Sequence, residues 1–172
     1  MLRTMGTKAG ILTFVGDCLK CIAAVALVRF LFRDKYPDIL PLLAFYTGAG
    51  VILGHNYPFY LGFRGGKGIA ATAGLVIAFN PIMTVLGILT FFGVALTTHY
   101  VSLASMLTYL GILAELIILG QMGKFHMSGP HLAELYVVCF LLTVLAFWKH
   151  RENMKRLLNH TERKTYLKKR SS

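Results

Sequence analysis

Gly65-Gly66-Lys67-Gly68 is the stretch of this sequence whose residue types best suit an anion. Three glycines bracket one lysine, so backbone N–H groups can approach a ligand with no Cβ in the way. The apolar segment that follows, Ile69-Ala70-Ala71-Thr72-Ala73-Gly74, would turn the positive end of a helix toward the same point. Such a site suits a phosphate. It is not a nucleotide-hydrolysing P-loop: Leu61 stands where that loop needs its first glycine, and Gly68 where it needs the hydroxyl that ligates magnesium. A flexible turn with an incidental basic pair would satisfy the same residues, so the loop needs partners.

A second constellation lies near the C-terminus. His150, Asn153 and Arg156 recur every three residues, and at about 100° per residue they form a stripe about 120° wide on a helix. An imidazole, an amide and a guanidinium would face one ligand. A basic helix end snorkelling into anionic headgroups would explain the charge as well, but not Asn153. Ser102 and Ser105 form a Ser-x-x-Ser pattern without an evident activating base, and hydroxyls at a helix start are commonly caps. Asp17 and Lys20 are spaced i, i+3 within an apolar run and are expected to neutralise one another as a structural pair, far in sequence from the glycine loop. Cys18, Cys21 and Cys139 sit in apolar stretches as reduced thiols, and His99, His126, His131 and His160 show no ligand spacing. No metal and no cofactor is expected.

The elements that must position these groups are membrane helices. The 172 residues are 56% hydrophobic and only 15% charged, with a formal net charge of +11, which reads as an all-α, polytopic membrane protein rather than a soluble domain. Apolar runs over 9–32, 39–53, 82–96, 105–119 and 131–148 suit spans. A sixth, 68–79, is too short to cross unaided and reads as a half-helix ended by Asn80-Pro81. Residues 149–158 are expected to continue the last helix into the headgroup layer, at the start of a basic tail over 149–172. The domain is taken as a single unit over 1–172. With six segments, both ends, the glycine loop and the 97–105 turn share one face, which then carries 13 Lys and Arg (Arg3, Lys8, Arg64, Lys67 and the nine of the tail) against three on the other (Arg33, Lys35, Lys124). That asymmetry places the polar segments together on the cytoplasmic side. The basic tail is accounted for by lipid headgroups, with no nucleic acid and no obligate protein partner expected.

Taken together, Gly54-His55 with Gly65-Gly66-Lys67-Gly68, then Tyr100-Val101-Ser102-Leu103-Ala104-Ser105, then His150-Arg151-Glu152-Asn153-Met154-Lys155-Arg156-Leu157 with Thr161-Glu162, resemble the bacterial acyl-phosphate-dependent glycerol-3-phosphate acyltransferases. Order and spacing agree over nearly the whole chain. The resemblance implies an inner-membrane enzyme of phospholipid synthesis, with its site and C-terminus on the cytoplasmic face. It would move a fatty acyl group from acyl phosphate to the 1-hydroxyl of glycerol 3-phosphate, giving lysophosphatidic acid and phosphate. Members of that family carry a seven-helix fold and begin with another span and a loop of the type Ser-Gly-Asn-x-Gly-Ala-Thr-Asn-x-x-Arg. Residues 1–6 match only the end of that loop, with Arg3 in the place of its arginine. The resemblance therefore implies an N-terminally truncated form with about six helices or half-helices of the seven.

It also implies roles. Lys67, Arg3, His150, Asn153 and Ser105 would be the catalytic set, and His55, Asn56, Gly65, Gly66, Gly68, Ser102, Arg156 and Glu162 would bind substrate. The amides over 65–68 would take the acyl phosphate, and either His150 or the substrate's own phosphate could accept the hydroxyl proton. Two other classes fit parts of the pattern: a non-catalytic membrane or lipid-binding remnant, and a small transporter of anionic solutes, for which Asp17, Lys20 and Glu115 are the few candidates for a polar path.

Overall fold

The computed structural model of the chain describes residues 6–165; Arg3 lies outside them. Among the described residues there are seven α-helices and no strand: α1 (Gly6–Phe32), α2 (Leu40–Asn56), α3 (Ile69–Phe79), α4 (Pro81–Thr98), α5 (Val101–Gln121), α6 (Gly129–Lys149) and α7 (Arg151–Leu158). Five of them, α1, α2, α4, α5 and α6, are long and apolar enough to cross a membrane. Their large apolar side chains point outward as well as inward: Leu12, Phe30, Leu89, Phe140 and Leu141 are all exposed, the surface expected of helices solvated by hydrocarbon. Five spans and one half-helix agree with the six segments read from the sequence.

The half-helix is the unusual element. With 11 residues, α3 is roughly 16 Å long, about half the hydrocarbon thickness. A short helix at that depth must be enclosed by protein, because its end groups have no water to bond. It is enclosed on nearly every side: Ala70, Ala71, Thr72, Gly74, Leu75, Val76 and Phe79 are all buried, packed against α1, α2 and α4. Small residues allow this. A Cβ on Gly74 would overlap the Cys18 carbonyl of α1, so only glycine admits that approach. Polar groups close the rest. Arg29 Nη2 donates to the Phe79 carbonyl at 2.9 Å, satisfying an end carbonyl of α3, and the Thr72 and Tyr109 hydroxyls pair at 2.6 Å. Below them, Phe79 packs between Phe45 and Phe125 with ring centroids 5.2 and 5.3 Å apart.

Asn80 then reverses the chain. It is extended at φ −153°, and its Oδ1 accepts from Ile82 N at 2.9 Å and Met83 N at 3.2 Å, capping α4 with Pro81 in its first turn. Because α3 and α4 form a tight hairpin, the end of α4 returns to the end of the bundle that holds the glycine loop. Two boundaries differ from the sequence reading. The 97–105 turn shrinks to His99-Tyr100, so Ser102 and Ser105 already lie inside α5. The last span does not run on into α7. His150 interrupts it at φ −99°, ψ 5°, where its amide is shared between the Ala146 and Phe147 carbonyls, both at 3.0 Å, while its ring Nδ1 donates to the Ala146 carbonyl at 2.7 Å.

Asn80→Ala removes two hydrogen bonds to otherwise orphaned amides and should lower stability in detergent by about 1 kcal/mol. The thermal unfolding midpoint measures this; an unchanged midpoint would mean that packing alone holds the start of α4.

Candidate functional site

Three polar segments meet at one end of the bundle: the glycine loop, the start of α5, and the segment around α7. Lys67 donates to Asn153 Oδ1 across the gap between the first and third. The same amide's Nδ2 donates to Glu162 Oε1 at 2.7 Å, and Ser102 Oγ donates to that oxygen at 2.8 Å. Arg156 Nε donates to Glu162 Oε2 at 2.7 Å. A lysine, an amide, a carboxylate, a serine and an arginine thus form one connected network, and the Thr165 amide pins the segment beyond it to the His99 carbonyl at 2.7 Å. Of the expected stripe, His150 and Asn153 face inward at 2% and 8% exposure, while Arg156 turns toward Glu162. Ser105, 2% exposed, donates to the Val101 carbonyl at 2.8 Å, one turn back in its own helix.

Burial and hydrogen bonding set the charge states. Burial pushes the Glu162 carboxyl up, but the donors Arg156, Asn153 and Ser102 outweigh it and hold the group below its ordinary value. The His150 ring is pushed down by burial; the Lys67 charge adds to this, and the Ala146 carbonyl and Glu162 oppose it. It is neutral at pH 7. With Nδ1–H directed to Ala146, Nε2 is the nitrogen left to accept a proton.

The glycine loop is built differently from the sequence expectation in one respect. Gly65 N–H donates to the Asn56 carbonyl at 3.2 Å and Gly66 N–H to the His55 carbonyl at 3.3 Å, so these two amides hold the loop to the end of α2 instead of facing a ligand. The anion-binding capacity falls to Lys67 and to the first turn of α3, whose amides have no acceptor within their own helix. Gly68, at φ +80°, directs the chain into that turn. A Cβ on Gly65 would overlap the His55 carbonyl, and one on Gly66 would overlap His55 Nε2. Asn56, 1% exposed, lies beneath Gly68.

Two contributions were not foreseen. Lys149, counted only as tail charge, donates to the Asn56 carbonyl at 2.8 Å and sits 3.9 Å from the centre of the Tyr57 ring, tying the end of α6 to the base of the loop. No local pattern announces a pairing across 93 residues. Asp17 and Lys20 do pair, at 2.6 Å, but not apart from the loop: both also reach His55 Nδ1, at 3.3 and 3.2 Å. Sequence distance misled here, whereas ionisable residues inside a span were themselves a signal.

From the start of α3 an apolar groove of about 270 Å³ runs between α1, α3, α4 and α5. Ile69 and Ser105 lie on its wall together with Val76, Thr84, Gly87 and Phe91. Residue for residue along α3 and α5, it leads from the first turn of α3 toward the middle of the bundle. A lysine beside the first turn of α3 and an apolar groove starting from the same turn would suit an amphiphile with an anionic head and a hydrocarbon tail. Among the described residues no cluster of His, Cys, Asp and Glu could hold a metal ion.

A family model described as glycerol-3-phosphate acyltransferase matches residues 1–160. A glycerol-3-phosphate acyltransferase of Clostridioides difficile (strain 630) is 41% identical over 169 residues, covering 98% of this chain and 77% of the relative. That of Bacillus subtilis (strain 168) is 38% identical over 162 residues, covering 94% and 75%. Crystal structures of PlsY, an integral membrane glycerol 3-phosphate acyltransferase, superpose with TM-scores of 0.79 for the glycerol 3-phosphate form and 0.77 for the lysophosphatidic acid form. Each is 30% identical and covers 96% of this chain.

Glu162→Ala should cost about 2 kcal/mol, because it leaves Asn153, Ser102 and Arg156 without their acceptor. Chemical or thermal unfolding measures this; a loss no larger than that of Ser102→Ala would contradict the network. Both titrating groups have folded values below their ordinary ones of 4.5 and 6.5. Each therefore stabilises the fold above its ordinary value and loses that contribution as the pH falls through the folded one. The unfolding midpoint should decline in acid, beginning below the ordinary histidine range, and Glu162→Gln should flatten the lower part of that decline.

Proposed function

This chain belongs to the glycerol-3-phosphate acyltransferase family, and we propose that it moves a fatty acyl group from acyl phosphate to the 1-hydroxyl of sn-glycerol 3-phosphate, giving lysophosphatidic acid and inorganic phosphate. The observation that carries the reading is the meeting of Lys67, Asn153 and the start of α3 beside the apolar groove. An acyl phosphate has the matching shape, with its phosphate at the cation and its chain in the groove. It is also a mixed anhydride and already activated, so the protein needs to supply position and charge stabilisation rather than a nucleotide or a covalent nucleophile.

In this mechanism the 1-hydroxyl oxygen attacks the acyl carbon, the new ester C–O bond forms, and the C–O bond to phosphate breaks. The proton lost by the hydroxyl ends on the departing phosphate, so the reaction balances with no net change in the protein. His150 Nε2 is placed to relay that proton, and the substrate phosphate can take it directly. Lys67 and the first-turn amides of α3 hold the donor phosphate and carry the charge that develops as it leaves. Asn153, His150 and Ser105 face the acceptor, and Arg3, by its place in the sequence, adds a second cation for its phosphate. Gly65, Gly66 and Gly68 supply room and direction for the loop; His55 and Asn56 support it. Ser102, Arg156 and Glu162 hold Asn153 in register. Asn153 thus has a double task, since the amide that meets Lys67 before substrate binds is available to a substrate oxygen once phosphate takes the lysine.

The charge asymmetry of the loops orients the site and the basic tail toward the cytoplasm, in the inner membrane of a bacterial cell. No protein partner is needed for the chemistry described.

Transfer of labelled glycerol 3-phosphate into lysophosphatidic acid by the purified protein should proceed with acyl phosphate and not with acyl-coenzyme A; turnover with the thioester alone would overturn the donor assignment. Lys67→Ala should reduce kcat/KM by about 100-fold or more while membrane insertion and the unfolding midpoint stay near those of the parent. Near-normal turnover would remove Lys67 from the mechanism. If His150 relays the proton, His150→Gln should lower kcat and abolish its fall in acid; a persisting acid limb would assign the proton to phosphate.

A further inference from the structure

We propose that Asp17, Lys20 and His55 form a positioning cluster by which α1 holds the glycine loop rigid and so sets the affinity of the site for the donor's phosphate. The proposal rests on the reading that this loop takes the donor. Asp17 and Lys20 would satisfy one another as a bare pair at 2.6 Å, yet both lie against a third group, His55 Nδ1, at 3.3 and 3.2 Å. Lys20 can donate to an unprotonated Nδ1, and the Asp17 carboxylate beside it attracts the ring should it carry charge.

With one edge fixed, the other edge is aimed. His55 Nε2 occupies the space that a Cβ on Gly66 would need, and the His55 carbonyl accepts the Gly66 amide at 3.3 Å. His55 therefore touches Gly66 through both ring and backbone. Gly66 directly precedes Lys67, and Gly68 begins α3, so a shift at Gly66 displaces the ammonium and the first turn of the helix together. The frame behind the cluster is stiff as well. Between Asp17 and Lys20 in sequence, Cys18 Sγ donates to the Ala70 carbonyl at 3.0 Å, and Gly74 packs against the Cys18 carbonyl. One turn of α1 thus touches α3 directly and the loop through His55. A space-filling residue at position 55 would occupy the same volume; what the ion pair adds is that the ring cannot swing away.

Donor and acceptor KM values, kcat, and hydrogen exchange of the Gly66 amide in glycine-labelled protein in detergent test the cluster. Asp17→Asn and His55→Ala should raise the KM for acyl phosphate on the order of 10-fold, more than the KM for glycerol 3-phosphate, and should speed exchange at Gly66. Gly66→Ala should raise the donor KM as well, because a held imidazole cannot yield. Adding His55→Ala to it removes that obstruction, so the double variant should be no worse than Gly66→Ala alone. Multiplying losses in the double variant, or unchanged donor KM and Gly66 exchange in Asp17→Asn, would overturn the cluster. Faster Gly66 exchange in a protein that does not turn over acyl phosphate at all would leave the cluster standing and defeat the donor assignment instead.

Discussion

The contact between Lys67 and Asn153 joins residues 86 apart in the chain, and the chemistry proposed for the polar end of the bundle depends on it. A lysine ammonium at the edge of hydrocarbon needs an oxygen, and an amide oxygen is a weaker partner than a phosphate. Asn153 supplies that oxygen because its other end is bonded to Glu162, which is in turn held by Ser102 and Arg156. An incoming phosphate dianion offers Lys67 a stronger acceptor than the amide oxygen does.

The second constraint is the half-helix. A helix of 11 residues brings its N-terminus to the site only if its other end is satisfied inside the bundle, and Arg29 and the Asn80 turn do this. Enclosure of α3 by α1, α2 and α4 also produces the groove, since a short helix followed by a sharp reversal leaves α4 and α5 to complete a wall that full-length neighbours would have filled. The proposed phosphate site and the apolar groove are two consequences of one irregularity. Lys149 and the Asp17, Lys20 and His55 cluster then hold the loop from two sides, through the Asn56 carbonyl and through Gly66.

Much of this was legible in the sequence, because membrane solvation limits the chain to helices and makes apolar length a direct signal. Asn80-Pro81 marked the end of α3, and the charge count brought the three polar segments to one face. The Lys67 loop and the His150 and Asn153 stripe stood out because glycine and amide groups are otherwise unexplained beside basic residues. What was not legible depends on pairing at a distance. Nothing near Lys149 points to the Asn56 carbonyl, and nothing near Asp17 points to His55, because helices that neighbour in space leave no periodic mark on one another's sequence. Gly65 and Gly66 were read as open amides on composition, whereas their N–H groups turn back to α2. The break at His150 was missed for a similar reason: a helical pattern continues across it, and nothing in that pattern marks the backbone change to φ −99°, ψ 5°.

The most direct test is to locate lysophosphatidic acid bound to this protein by crystallography or electron cryo-microscopy. The account predicts its phosphate within hydrogen-bonding distance of the Asn153, His150 and Ser105 group that faces the acceptor, with the ester carbonyl toward Lys67 and the acyl chain lying along Ile69, Val76 and Phe91. A phosphate bound away from Asn153 and His150, or a chain lying on the outer surface with the groove unfilled, would contradict it.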